Sequence, residues 1–399
     1  MSKGTYEEKK QLYKDQHQWN KPKRILFTPF LCGWLFLDAG YETNVASRNY
    51  DMCIDAWEKA YQKYPNVDAL NTTGSPFRFY FNHTAALGGT TNGYGINSES
   101  GSNTNVSYED VLTADDYPAL MEDETKAIWE RVLFSVCPNA KDFTPQQFAE
   151  AVKEEVRLQE AIKKTNAINE KYGALSAHDG PLFYCDCYVG MLFNQYRGMK
   201  GLAMDLRRHK DAVYELCEYK DNESYEQKKA LMANVPDGPG EGHDNYYDVF
   251  ISSLAHTMLN NKQIERLIIA PWKKQLDLCA EKHKMVTGVV EGEWAYRGGI
   301  GEFLNEYPKG IVEMMVETDD PFQIRKDFPN IGIFGGLPTD IIGQGTKEQA
   351  VDAAKKAIDE LGHDGGLFLC TSKMTTYAYD MKSENLRAVS DFVANYEIN

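Results

Sequence analysis

Four short apolar runs punctuate the last third of the chain, and each leads straight into residues able to do chemistry. MVTGVV (residues 285–290) opens onto Glu291-Gly292-Glu293, and IVEMMV (311–316) onto Glu317 and, two positions further, Asp319. IGIF (331–334) precedes Gly335-Gly336-Leu337-Pro338-Thr339-Asp340, while GLFLC (366–370) ends in Cys370, before Thr371 and Ser372. Runs of this length without strict polar alternation read as strands buried on both faces, the pattern of a parallel sheet covered by helices. Between the last two lies TKEQAVDAAKKAIDEL (346–361), which predicts a helix with Thr346 as its cap, Glu348 in its first turn and Gly362 as its stop.

The earlier chain continues the alternation. RILFTPF (24–30) reads as a first strand, followed by a loop with Gly33 and Gly40 and a helix over 47–64; NVDAL (66–70) reads as a second strand. Residues 115–172 are helical in pattern, with Thr144 capping a long amphipathic segment. ALSAHDG (174–180) then predicts a third strand that delivers His178 and Asp179. The stretch 181–218 reads as mostly helical, YYDVFISSLA (246–255) as holding a fourth strand, and IAPWKKQLDLCAEKHK (269–284) as the helix feeding Met285. Repeated strand–helix units with polar residues at the strand ends are how a (β/α)8 barrel builds an active site. The expected fold is therefore α/β, a single TIM-type barrel over residues 1–399. Residues 1–23 form an N-terminal helical extension, and there are long loop insertions. The longest, LGGTTNGYGINSESGSNTNVSY (87–108), exceeds an ordinary connection and is expected on the rim, as a lid or partner surface or as disorder.

Charge narrows the partners. A formal net charge of −16 argues against nucleic acid and against an anionic membrane surface. No apolar run approaches the ~20 residues of a membrane span, and the first twenty residues lack a secretory core, so a cytoplasmic location is expected. The eight cysteines are scattered rather than spaced as a disulfide framework.

The candidate chemistry sits at strand ends. Glu291, Glu317 and Cys370 are candidate members of one site, with Gly336 at the same rim. His178, Asp179 and His243 are candidate proton donors or substrate contacts, and Phe77 and Tyr80 of FRFYFNH (77–83) could wall an aromatic pocket. No Ser/His/Asp or Cys/His nucleophile signature is present, so any reactive nucleophile is expected from outside the chain.

Three passages resemble the uroporphyrinogen decarboxylase / cobalamin-dependent methyltransferase superfamily. They are YRGMKGLAMDLRRHKDAVYEL (196–216), IAPWKKQLDLC (269–279) and IFGGLPTDIIGQGTKEQAVDAAKKAIDELGHDGGLFLCTS (333–372). The resemblance implies a single barrel. It also implies a choice of chemistry. The decarboxylase carries an arginine-rich segment after its first strand, where this chain reads FTPFLCGWLFLDAGY with no arginine. The coenzyme M methyltransferases carry His-x-Cys after the fifth strand and a Cys after the last, together holding zinc; this chain has Glu291-x-Glu293 at the first place and Cys370 near the second. Carboxylates are harder donors than thiolates and favour an oxygen substrate over sulfur. In character the chain is similar to the methyltransferase I component of corrinoid-dependent O-demethylases. That implies zinc or another divalent metal at Glu291, Glu317 and Cys370, a small-molecule methyl donor such as an aryl methyl ether, and a corrinoid carried by a partner protein. The alternatives are a decarboxylase, a methyltransferase using a methylamine, glycine betaine or a methylated thiol, and a barrel that binds without catalysis.

Overall fold

The computed structural model describes residues 4–47, 49–70, 111–176 and 180–398. Seven parallel strands form one sheet: β1 (Phe27–Thr28), β2 (Phe183–Cys185), β3 (Val249–Ser253), β4 (Val286–Val290), β5 (Val312–Met315), β6 (Gly332–Leu337) and β7 (Leu367–Thr371). Their order is β1-β7-β6-β5-β4-β3-β2, every neighbour parallel. From β3 to β7 the strands are joined through helices, as parallel pairing requires. The four runs read as buried strands are β4 to β7. Every residue of β5, β6 and β7 is buried.

Beyond β1, the Asp68 amide donates to Phe27 O and the Leu175 amide to Asp68 O. The two segments expected as second and third strands thus carry main-chain pairing on from β1, but among the described residues they form no ladder long enough to count as strands. The ladder does not close on itself among the described residues.

Two expectations need correction. PLFYCDCYVG, taken as helical, contains β2. Phe183 and Cys185 are buried while Tyr184 between them is 49 % exposed, a two-residue period that a helix cannot produce. The Gly335-Gly336 pair, taken as a turn after the strand, lies inside β6 with φ of 135° and 86°, a backbone only glycine adopts without strain. The N-terminal segment, expected as a helical extension, forms a helix packed against the sheet. Its helix α1 (Tyr6–His17), with a Thr5/Glu8 capping box, lies across the amino-terminal end of the sheet. Gln16 Nε2 donates to Leu367 O at 3.0 Å, the Leu26 amide donates to Gln16 Oε1 at 2.7 Å, and Lys9 pairs with buried Asp68 at 3.5 Å.

Tyr13 of α1 reaches into the sheet. Its hydroxyl lies 2.6 Å from Thr287 Oγ1 and donates to Glu313 at 3.2 Å, while its ring meets Tyr246 and Phe368 edge-on at 4.9 Å. The polar contacts matter energetically because Thr287 and Glu313 are fully buried, and a buried carboxylate without partners costs several kcal/mol, roughly. His17 adds a second contact to Glu313 at 3.5 Å. This plug closes the amino-terminal end and leaves the carboxyl ends of the strands for chemistry.

The outer layer includes α2 (Tyr50–Lys63), α3 (Pro145–Tyr172), α4 (Ala270–Glu281), α5 (Lys347–Ala357) and α6 (Ser383–Val393). α3 and α5 begin with the Thr144 and Thr346 caps expected from the sequence, each completed as a capping box by Gln147 or Gln349. No helix among the described residues is long and apolar enough to cross a membrane.

Candidate functional site

Register decides which strand-end residues share a face. Tyr184, Phe250, Thr287 and Glu313 are successive cross-strand partners and lie on the face that Tyr13 touches. Side chains alternate along a strand, so Val289 follows Thr287 on this face and Met315 follows Glu313; Glu291 comes one residue after β4 ends and Glu317 two after β5. Glu291 and Glu317 are both partly exposed there, at the carboxyl end.

Main-chain geometry ties these two positions together. Glu317 Oε2 accepts the Gly292 amide at 2.6 Å, a charge-assisted bond that fixes the turn immediately after Glu291. Gly292 has φ 79°, so the turn itself depends on glycine. Asp319 Oδ2 accepts both the Trp294 amide at 2.9 Å and the Ala295 amide at 3.0 Å, and Trp294 Nε1 donates to Met315 O at 2.9 Å. Arg297 carries the tie onward. Its Nε donates to His256 O at 2.9 Å and its Nη2 to Thr257 O at 2.6 Å, within the loop after β3. Three adjacent loops are therefore latched in series, carboxylates of one to amides of the next and a guanidinium of that one to carbonyls of the third.

His256 lies under this latch, and sequence inspection missed it. It is fully buried, and neither ring nitrogen makes a hydrogen bond of normal geometry, although main-chain groups of Glu293 and Glu291 lie close by. Burial, aided by Arg297, pushes its pKa down to about 4, so the imidazole is neutral near pH 7. The sequence signal was its place just past the FISS strand end. Asp319 was noted only by its place after an apolar run and Arg297 not at all, because their roles are contacts to main chain that no local pattern announces.

The remaining candidates fall elsewhere. Cys370 is buried in β7, paired in register with Gly336 and Thr28, and burial pushes its thiol up to about 12. Three strand spacings of roughly 4.8 Å separate β7 from β4. Among the described residues no three His, Cys, Asp or Glu side chains come together to hold a metal ion. The Glu291/Glu317/Cys370 set is not brought together among the described residues, since β7 lies three strands from β4 and one oxygen of Glu317 is engaged with an amide. Gly336 turns away from the Glu291 face. A Cβ there would sit 3.3 Å from Ala357 Cβ of α5, and on that side Gly336 lines a surface cavity of about 650 Å³ with Phe322 and Lys356. His243 lies at the opposite, amino-terminal end of the sheet, its Nε2 2.6 Å from buried Asp248 and its Nδ1 accepting the Asn245 amide. Phe77, Tyr80, His178, Asp179 and the 87–108 insertion lie outside the described residues.

A parallel α/β sheet with an acidic, latched carboxyl-terminal rim defines the class of architecture. No family model and no curated protein matches the sequence. Among solved structures the chain is similar to a methyltransferase from Methanosarcina mazei, with a TM-score of 0.57 over 98 % of both chains at 12 % identity. At that identity the likeness shows the fold alone.

Proposed function

We propose that this chain is a (β/α)8-type methyltransferase that takes a methyl group from an O-methyl donor, such as an aryl methyl ether, and delivers it to the corrinoid of a partner protein. The observation that carries the reading is the Gly292–Glu317 bond, which holds the turn after Glu291 at the carboxyl end of a sheet whose Tyr184 and Phe250 meet further down the strands, in register with Thr287. Aromatic rings on that face suit a flat methoxyaromatic, and a positioned acid suits the difficulty of the reaction. Phenolate leaves poorly unless its charge is neutralised as the C–O bond breaks. The methyl carbon passes to the acceptor, the C–O electron pair stays on oxygen, and the Glu291 carboxyl supplies the proton that makes it a phenol. Glu317 acts on Glu291 through the main chain. The likeness to a methyltransferase and the sequence resemblance support the same class.

The decarboxylase alternative fares worse on charge. A polycarboxylate substrate would meet Glu291, Glu293, Glu317 and Asp319, and the nearby Arg297 is engaged with main-chain carbonyls.

The test is phenol release from a panel of methoxyaromatics with reduced cobalamin as surrogate acceptor. Glu291→Gln should lower the rate by about 10²–10⁴-fold, the usual worth of a positioned acid. Release of no phenol from any donor refutes the reading. The same assay after chelation and zinc add-back settles the metal. Loss and recovery would assign activation of the ether oxygen to an ion held by donors beyond Glu291 and Glu317. Full activity after verified metal removal would assign it to Glu291.

A further inference from the structure

We propose that this chain forms a two-fold homodimer through the amino-terminal half of α3 and the helical turns around Trp129. α3 is 28 residues long, yet before Ala161 only Ala151 of it is buried. Phe148, Val152 and Val156, spaced four apart, share one face of the helix, and Val152 and Val156 are 66 % and 56 % exposed. Beside them Trp129 is 56 % exposed, its ring 6.1 Å from that of Phe148. Ile128, Trp129, Leu133, Phe148 and Val152 line an open apolar groove of about 350 Å³.

Size and charge point to a second copy as the occupant. With about 250 Å² for a tryptophan and a good deal less for each valine, these exposures amount to about 300 Å² of apolar surface, within the ~300–600 Å² of the largest patch on a typical soluble protein, which is often functional. Interfaces are on average about 57 % apolar, so this patch corresponds to about 500 Å² per partner, the size of a small, reversible interface. Two copies of a chain carrying −16 repel one another over most of their surface. Here they need not, because between Lys126 and Arg157 five basic and five acidic side chains balance. One copy also offers both shapes, a ridge of Val152 and Val156 and a groove beside it, which is what a two-fold contact between identical helices requires.

The experiment is sedimentation velocity of the full chain over ~1–100 µM, a range that brackets ordinary reversible dimers. The expected species is twice the 45.3 kDa chain mass. Trp129→Glu and Val152→Glu should each weaken dimerisation by about 30-fold or more, as loss of an interface anchor does. Both sites are exposed, so thermal unfolding should be unchanged at concentrations low enough for the parent to be monomeric. Val156→Cys should give a disulfide-linked dimer under mild oxidation, a readout that does not depend on destabilising anything. A monomer at every concentration overturns the proposal. So does a dimer indifferent to both glutamates, or an open-ended ladder of oligomers.

Discussion

Glu317→Ala separates positioning from folding. The substitution removes the carboxylate that accepts the Gly292 amide at 2.6 Å and leaves Latch contacts from Asp319 in place. A hydrogen bond to a charged group contributes about 1.5–3 kcal/mol when buried; Glu317 is partly exposed, so about 1–2 kcal/mol is the appropriate range. Spread over the unfolding entropy of a chain this long, that loss lowers Tm by only about 2 °C. The effect on catalysis is larger, because the freed turn carries Glu291, and a displacement of about 1 Å at a reacting group costs roughly 100-fold. Glu317→Gln keeps an acceptor oxygen without the charge and should lose about tenfold, since charge-assisted bonds are about twice as strong as neutral ones. The assay is phenol release with reduced cobalamin, read as kcat and KM, alongside a thermal melt. If Glu317→Ala retains activity within about twofold of the parent at an unchanged Tm, the latch does not position Glu291. If activity and folding collapse together, Glu317 is structural.

Gly288→Ala should destabilise the sheet by about 1–3 kcal/mol, seen as a lower urea midpoint, because a Cβ there would sit 2.4 Å from both Ile251 Cγ2 and Met314 Sδ. His256, with its pKa pushed down to about 4, is neutral in the folded chain while the unfolded chain protonates near 6.5. Its contribution is therefore complete above pH 6.5 and lost as pH falls toward 4, up to about 3 kcal/mol; His256→Asn should flatten that acid limb in denaturant titrations. Cys370, with its thiol pushed up to about 12, should resist alkylation at pH 8 in the native protein and react only on unfolding. Because the unfolded thiol ionises first, the same group should erode stability as pH rises from about 9 toward 12. Rapid native labelling of Cys370 would contradict both statements.

Much of the sheet was legible in the sequence, and the reason is burial. β4 to β7 are covered on both faces, so their residues form continuous apolar runs that local pattern detects without any knowledge of neighbours. The Thr144 and Thr346 helix starts were equally readable, because a cap is a contact between residues three apart. β2 escaped, being three residues long inside a stretch of helical character. The site was legible only as positions. Glu291 and Glu317 stood out because they follow apolar runs, but which way each turns is set by register with β3 and β5, and what each touches is set by chain 25 residues or more away. Nothing local shows that Glu317 holds an amide rather than an ion, that Gly336 faces α5, or that His243 belongs to the closed end of the sheet. The N-terminal segment makes the same point most sharply. Its polar composition suggests an appendage, and its burial as a plug follows from Thr287, Glu313 and the main chain around Leu367, partners more than 270 positions distant. Sequence determines the periods and caps that make elements; only tertiary structure decides which polar groups meet, because hydrogen bonds of that kind leave no periodicity behind.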